Sequence, residues 1–172
     1  TGMAVLIDKN NETLSLNMMF GLLFALGVVA VIMGLLFRSV KMALVTLIPN
    51  VLPLLAIGAV IGIAGIDMKV STSIIFGIAF GITVDDSIHY LSKYRLERGK
   101  GRSYVWALRR TSVSTGKAII LTSLILCAGF FTLISSDFTS TFYVGLLVSI
   151  TLAVAVIADL FVLPVLINKV HR

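Results

Sequence analysis

Two adjacent carboxylates, Asp85 and Asp86, lie within an apolar stretch that is long enough to cross a lipid bilayer, and His89 follows them. An ionised carboxylate at the centre of a bilayer costs roughly 2.5–3.5 kcal/mol on insertion scales, so such a group usually has a partner or a function. Two neighbouring carboxylates titrate as a unit, and protonation removes the buried charge. His89 lies one helical turn further on, where it can hydrogen-bond the pair or extend to the headgroups. These residue types predict a proton relay.

A metal site is the weaker alternative for these three side chains. Aspartate and histidine together suit a transition metal better than Mg²⁺ or Ca²⁺. The chain has only one other histidine, His171, and it lies at the C-terminus beyond the last apolar stretch. We therefore predict no metal and no cofactor, and we expect the chain not to be an enzyme.

The composition predicts a membrane protein. Of the 172 residues, 58% are hydrophobic and 13% are charged, whereas about 25% are charged in a soluble domain. The formal charge of +6 reflects Lys and Arg gathered at one membrane face, so we predict no nucleic-acid partner. Cys127 is the single cysteine and lies in an apolar run, where a small packing residue is expected and not a disulfide or redox pair.

Five apolar runs meet the length of about 20 residues that a membrane-spanning helix needs. They cover residues 18–37, 42–66, 71–90, 118–134 and 141–167. The predicted fold class is therefore an all-α integral membrane protein with a five-helix transmembrane bundle over residues 18–168. We expect residues 1–17 to be the end of an extracytoplasmic domain and a lead-in, with a short strand at residues 3–7 and Thr13 as a helix cap.

The positions of Lys and Arg predict the orientation. If the N-terminus lies outside, twelve of the fourteen Lys and Arg residues fall on the cytoplasmic side, and only Lys9 and Lys69 fall outside. This predicts a multi-pass protein of the plasma (inner) membrane with a cytoplasmic loop at residues 92–117 and a cytoplasmic tail at residues 169–172. Within the loop, residues 103–115 suit a short helix at the membrane interface or one packed beneath the bundle.

Polar residues of four spans are predicted to lie at one depth. At a rise of about 1.5 Å per residue, Asp85 and Asp86 lie about 11–12 Å from the inner boundary, and the others about 8–15 Å from it. The layer consists of Asn50, Asp85, Asp86, Thr122, Ser123 and Asp159. Asp159 keeps two interpretations, since it can join the relay or serve packing near a kink at Pro164. We also expect Pro49 and Pro53 to bend or break the second span.

Small residues lead into the carboxylates. Gly77, Gly81 and Asp85 follow one another at i, i+4 and i+8, so they share one stripe of a helix, and Gly58 and Gly62 repeat the spacing on the second span. A GxxxG pair lets a second helix approach the backbone closely. The spacing therefore predicts that these four glycines serve helix packing.

Residues 81–90, with the sequence GITVDDSIHY, resemble the motif that the resistance-nodulation-division (RND) superfamily carries in its fourth span. The nearest resemblance is to its MMPL-like and Patched-like hydrophobe exporters. The neighbouring spans are similar to the family's recurring patterns at PNVLP (49–53), LTS (121–123), GF (129–130), ADL (158–160) and LP (163–164). The resemblance covers nearly the whole chain.

The resemblance implies an architecture and a role. The chain is similar to one RND repeat without its first span, which is the extent of a sterol-sensing-type unit, and the first half of the same protein would be missing. The family's acidic residue couples proton movement to export, a role that would fall on Asp85 or Asp86, with Thr122 as the hydroxyl of the adjacent span. The implied function is the C-terminal-type half of a proton-motive-force-driven exporter of lipids or other hydrophobic substrates.

The implied partners are protons, a hydrophobic or lipid-like substrate, the missing half and the lipid bilayer, and a homo-oligomer is left open. Two other functions also stay open, a non-transporting sterol- or lipid-sensing module and a SecD/SecF-like translocation accessory subunit. Dissipating the proton gradient separates the exporter from the sensor, because a sensor needs no gradient. The predicted relay residues are Asp85, Asp86, His89, Thr122, Ser123 and Asp159.

Overall fold

The structure, a computed structural model, describes residues 2–66 and 70–170, and nearly all of them are helical. In chain order the helices are α1 (Gly2–Phe37), α2 (Val40–Ala64), α3 (Val70–Gly99), α4 (Tyr104–Thr132), α5 (Thr139–Ile157) and α6 (Leu163–Val170). A 3₁₀ turn (Leu133–Ser135) extends α4, and a π-helical turn (Ala158–Val162) joins α5 to α6. Five segments are long and apolar enough to cross a membrane, so the predicted all-α fold with five spans is confirmed: Leu16–Phe37, Val40–Ala64, Thr72–Gly99, Tyr104–Ser135 and Thr139–Lys169.

The ends of the helices follow from local sequence. Arg38 has a positive φ of 48°, and the Ser39 Oγ accepts a hydrogen bond from the Met42 backbone N–H at 3.5 Å, so α1 and α2 form a tight hairpin. Gly65 ends α2 in the left-handed conformation, with a φ of 62°. Ser103 caps α4 by accepting a hydrogen bond from the Trp106 backbone N–H at 3.4 Å.

The predictions for residues 1–17 are wrong in their local structure. Residues 3–7 belong to α1 and not to a strand, and Thr13 lies inside α1, where its hydroxyl donates to the Lys9 carbonyl at 2.8 Å instead of capping. A short apolar run does not by itself distinguish a strand from a helix. Because neither glycine nor proline occurs between residues 3 and 20, nothing stops the helix of the first span from extending toward the N-terminus.

The segment at residues 92–117, predicted as a cytoplasmic loop, is mostly helical. α3 continues to Gly99 and α4 begins at Tyr104, so only residues 100–103 lie outside a helix. Residues 103–115 are mostly helical, as predicted, but they form the first turns of α4 and not a separate interfacial helix. The break coincides with Gly99, Gly101 and the Ser103 cap, and the residues on either side are good helix formers.

Prolines have different effects in the second and fifth spans. α2 continues as a helix through Pro49 and Pro53, so of the predicted bend or break of this span, the break is absent from residues 40–64. In the fifth span, Pro164 follows the π-helical turn, in which the Leu163 N–H bonds the Ala158 carbonyl. The irregular backbone predicted near Pro164 is therefore a π turn, a feature that often accompanies functional sites.

The bundle has two apolar clusters with polar residues between them. One cluster lies near the α1–α2 turn and contains Met33, Met42, Tyr90, Leu91, Tyr94, Ala107, Ile119, Leu163 and Ile167. The other lies toward the opposite end and contains Leu54, Ile57, Ile61, Ile75, Ala79, Phe80, Val84, Leu147, Val148 and Leu152. α3 contributes to both clusters and contacts α1, α2, α4 and α5. Its polar segment at residues 85–89 is therefore held at the middle of the bundle.

Candidate functional site

A buried hydrogen bond between α3 and the π turn is the centre of the site. The Ser87 Oγ donates to the Asp159 Oδ1 at 2.7 Å, and the two residues are 0% and 1% exposed. Asp159 lies in the π-helical turn, where the backbone departs from regular α geometry. The bond thus joins two spans through Asp159, which was predicted as a relay residue, and Ser87, which was not. Ser87 directly follows Asp86, and this proximity was the available signal.

The two adjacent carboxylates face different environments. Asp86 is buried, with 9% exposure, whereas the Asp85 side chain is 70% exposed. Successive helical residues point about 100° apart, so one helix presents Asp86 and Ser87 to the interior and Asp85 to the outside. Asp85 Oδ1 lies 3.5 Å from Nε2 of His89, whose side chain is equally exposed. Of the predicted contacts of His89, the one with Asp85 is therefore present.

The exposed face borders an open groove between α3 and α4. The groove has a volume of about 1090 Å³, and its polar lining includes Asp85, Asp86, His89, Lys93 and Thr122. The remaining lining is largely apolar and includes Gly81, Ile82, Leu96, Ile119, Ile125 and Leu126. Asp86 is the residue that connects this groove with the buried side of α3, because it is both buried and part of the groove wall.

The hydroxyls of α4 do not bond the carboxylates. Thr122 is exposed in the groove, and its Oγ1 donates to the backbone carbonyls of Ala118 and Ile119 at 3.0 and 3.1 Å. Ser123 is buried at 3% exposure and is not among the residues that line the groove. The structure therefore brings Thr122 to the same groove as Asp85 and Asp86, whereas Ser123 faces away from it.

Asn50 is buried, as predicted for the polar layer, but it does not hydrogen-bond any carboxylate of the described residues. Its Nδ2 donates to the Thr46 carbonyl at 2.9 Å, and the residue is 1% exposed. Its Oδ1 is buried and has no hydrogen-bond partner within the described part of the chain. A buried acceptor of this kind can pair with a donor or a water molecule, so Asn50 leaves one polar position open in the interior.

A pair of hydroxyls joins α3 to α4 just beyond the acidic residues. The hydroxyls of Tyr90 and Ser112 are 2.5 Å apart, and Tyr90 is fully buried whereas Ser112 is partly exposed. The pair links α3 to α4 on the side of the α1–α2 turn. From the sequence, Tyr90 belongs only to the motif and Ser112 is not predicted, because a hydroxyl contact between two helices leaves no spacing pattern along the chain.

Within the described residues no helix packs tightly against the four glycines, so their predicted packing role stays a prediction. Among the described residues, no neighbouring heavy atom lies within 4 Å of a Cβ built at Gly58, Gly62, Gly77 or Gly81. The first three line an apolar groove of about 830 Å³ between α1, α2 and α3, and Gly81 lines the acidic groove. A GxxxG spacing permits close approach but does not enforce it.

Close helix approach occurs instead at two other glycines. A Cβ at Gly145 would lie 2.7 Å from the Phe130 carbonyl oxygen, and one at Gly116 would lie 3.0 Å from Leu160 Cδ2. Both positions fix α4 against the fifth span, and neither belongs to a GxxxG pair on its helix. The tight contacts therefore hold the scaffold of the site, whereas the predicted glycines leave space beside it.

No cluster of three or more His, Cys, Asp or Glu side chains within residues 2–66 and 70–170 has the geometry to hold a metal ion. The polar groups described above are two buried carboxylates, one exposed carboxylate–histidine pair and two hydroxyl contacts. This arrangement can bind, hold and pass protons between neighbouring oxygen atoms.

The profile of the MMPL family of membrane proteins matches residues 1–170 of this chain. The chain belongs to the MMPL family. The membership agrees with the resemblance to the RND superfamily that its motifs carry, and it fits the prediction that the chain is not an enzyme.

Two relatives of this MMPL chain are longer proteins. The hopanoid transporter HpnN of Burkholderia multivorans is 32% identical over 145 residues, which cover 82% of this chain and 16% of the relative. A membrane protein of Methanocaldococcus jannaschii is 24% identical over 139 residues, which cover 81% of this chain and 36% of the relative. The match therefore spans well under half of either relative. No solved structure matches the chain.

Proposed function

We propose that this MMPL chain is one half of a proton-motive-force-driven exporter of lipids or other hydrophobic substrates. The observation that carries the proposal is the buried Ser87–Asp159 hydrogen bond beside Asp86. A carboxylate inside a membrane bundle is expensive, and it usually marks an ion or proton pathway. The family and the relative named as a hopanoid transporter support transport of a lipid-like substrate.

The proposed relay has an open and a buried part. Asp85 and His89 exchange protons with the groove, Asp86 forms the wall between groove and interior, and Asp159 holds the buried end. The groove also contains Lys93 and Leu96, so it extends toward the side that the Lys and Arg distribution predicts to be cytoplasmic. In this scheme Asp86 receives or releases protons through that side.

Protonation of the buried pair would change the packing of α3 against the fifth span. An ionised Asp159 can only accept hydrogen bonds, as it does from Ser87, whereas a protonated one also offers a donor. Loss of the charge removes most of the cost of burial and alters the preferred partner, which biases a bundle between two arrangements. The π turn is the element with the irregular backbone, so we propose that it carries the movement.

The chain is proposed to act only together with further parts of a longer protein. Its match covers 36% and 16% of the two relatives, so most of each relative has no counterpart here. The substrate would be handled largely by those further parts, and this chain would supply proton coupling. Asp85, exposed beside an open groove, is a residue that such a part could contact.

The test is export by the full-length protein with Asp86→Asn and Asp159→Asn introduced together. We expect proton-coupled export to fall by at least roughly 100-fold, because neither amide can carry the proton. Asp137→Asn is the matched control, since Asp137 is an exposed aspartate in the turn between α4 and α5 and should leave export unchanged. Export that survives the double substitution would disprove the relay, provided that both variants reach the membrane in equal amount.

A lipid-sensing module is the second candidate, and the apolar groove between α1, α2 and α3 favours it. This groove has a volume of about 830 Å³, and its lining is almost entirely apolar. Cavities of this size and character accept hydrophobic ligands. Collapse of the proton gradient decides between the two functions, because export must stop whereas ligand binding by a sensor must continue.

A further inference from the structure

A small concave surface at the start of α4 is separate from the acidic groove. It has a volume of about 260 Å³ and is lined by Trp106, Arg109, Arg110 and Val113. These positions follow the i, i+3, i+4, i+7 spacing of one helical stripe, and all four side chains are exposed. Within the described part of the chain, neither arginine forms an ion pair or a side-chain hydrogen bond. The guanidinium groups of Arg109 and Arg110 therefore have no anionic partner among the described residues, and they lie beside the Trp106 indole and Val113.

A chain of ionic contacts holds the indole in place. Glu97 is only 3% exposed and pairs with Arg102 at 2.7 Å, with Lys100 at 3.3 Å and with Lys93 at 3.5 Å. The Arg102 guanidinium in turn lies over the Trp106 ring, 3.8 Å from its centroid, in a cation–π contact. Arg102 contacts both Glu97 and the Trp106 ring, and these contacts hold the ring in place. Arg109 and Arg110 do not take part in them and can contact a ligand. The surface is therefore preorganised before any ligand arrives.

The surface lies where the spans end. Arg95 donates a hydrogen bond to the Leu36 carbonyl near the end of α1, and Ala107 packs in the same apolar cluster as Met33, Met42 and Tyr94. Ala107 is therefore close to the level of the α1–α2 turn, where the first span ends and the second begins. Tryptophan and arginine at this level match the preference of both residues for the boundary between hydrocarbon and headgroups.

We propose that this surface binds the headgroup of an anionic phospholipid. A guanidinium group forms paired hydrogen bonds with phosphate oxygens, and two such groups favour a headgroup with net negative charge over a zwitterionic one. Trp106 and Val113 would contact the glycerol and the first acyl carbons, which a free anion lacks. Basic pockets at the cytoplasmic ends of spans bind anionic lipids for this reason. The site is independent of the proton relay, so either proposal can fail alone.

Trp106 gives a direct readout, because it is the only tryptophan in the chain. The full chain is reconstituted in nanodiscs of phosphatidylcholine that contain either brominated phosphatidylglycerol or brominated phosphatidylcholine at equal mole fraction. The bromines are placed near the glycerol end of the acyl chains. We expect brominated phosphatidylglycerol to quench Trp106 fluorescence at least about twofold more strongly. Equal quenching by the two lipids would overturn the proposal without any variant.

Charge-matched double variants test whether the two arginines form the site. Arg109→Gln with Arg110→Gln should abolish the preference for phosphatidylglycerol. Lys41→Gln with Lys117→Gln removes the same charge from two other exposed cations and should retain it. Circular dichroism checks that both variants keep their helical content. Loss of the preference in both double variants, or in neither, contradicts the assignment to Arg109 and Arg110. Loss of the preference on addition of inorganic phosphate to the unmodified chain contradicts a lipid ligand.

Discussion

The two faces of α3 carry the same acidic residue type in opposite environments. On one face, Asp86 and Ser87 are buried, and Ser87 bonds Asp159 of the fifth span. On the other face, Asp85 and His89 are each 70% exposed beside an open groove. One residue of helical rotation, about 100°, separates the two conditions. Two residues adjacent in sequence thus lie on different sides of α3. We call the side with Asp86 and Ser87 the closed face and the side with Asp85 and His89 the open face.

The difference predicts different energetics for the two carboxylates. Asp85 and His89 border an open groove that can admit water, so Asp85 can be solvated on that side. A buried carboxylate lacks that solvation and depends on its hydrogen-bond donors, so its protonation state and its partners are coupled. The closed face is therefore suited to changing the packing of the bundle, and the open face is suited to exchanging protons with the groove.

The largest expected effect comes from substituting the two carboxylates separately. In the full-length protein, Asp86→Asn should reduce proton-coupled export by roughly 100-fold or more, because it removes the group between groove and interior. Asp85→Asn should reduce export by less than about fivefold, since His89 and solvent remain as proton acceptors on the open face. Proton uptake into proteoliposomes measures both. Equal losses of export would mean that the two carboxylates do not differ in function. A larger loss from Asp85→Asn would mean that Asp85, and not Asp86, is the more important of the two.

Ser87→Ala tests the closed face through stability. The substitution leaves the buried Asp159 without its serine donor, and an unsatisfied buried polar group costs about 1–3 kcal/mol. We expect a lower free energy of unfolding in detergent or bicelles by that amount. Ser92→Ala is the matched control, because Ser92 is an exposed serine on the same helix and lines the open groove. Equal stability of the two variants would mean that the Ser87–Asp159 bond contributes nothing measurable.

The sequence predicted the spans and most of the acidic site, because both depend on local composition. Apolar length located all five helices, and the cost of a carboxylate in hydrocarbon selected Asp86 and Asp159 before any contact was known. Helix periodicity alone could also have separated Asp85 from Asp86, since adjacent residues cannot face the same neighbour. Which of the two faces the interior depended on the rotation of α3, and that rotation follows from packing against α1, α2, α4 and α5 together.

The parts that sequence reasoning missed depend on contacts between distant residues. Ser87 and Ser112 acquire their roles from partners 72 and 22 residues away, which no spacing rule reveals. The close approaches at Gly116 and Gly145 were not predicted for the same reason, because the approach of two helices is decided by both surfaces and not by one GxxxG pair. The extended α3–α4 hairpin was missed because charged residues near a membrane boundary were interpreted as a loop, although charge does not end a helix.

The smallest expected effect concerns space on the open face. Gly81→Ala should raise the free energy of unfolding by up to about 1 kcal/mol, because alanine favours the helix and no described atom lies within 4 Å of the new Cβ. Gly145→Ala is the same change where α4 and α5 touch, and it should destabilise the chain because its Cβ would lie 2.7 Å from the Phe130 carbonyl oxygen. Thermal unfolding of both variants measures the contrast. If Gly81→Ala destabilises the full-length protein but stabilises this chain alone, a further part of that protein occupies the groove beside Asp85, and the open face is an interface.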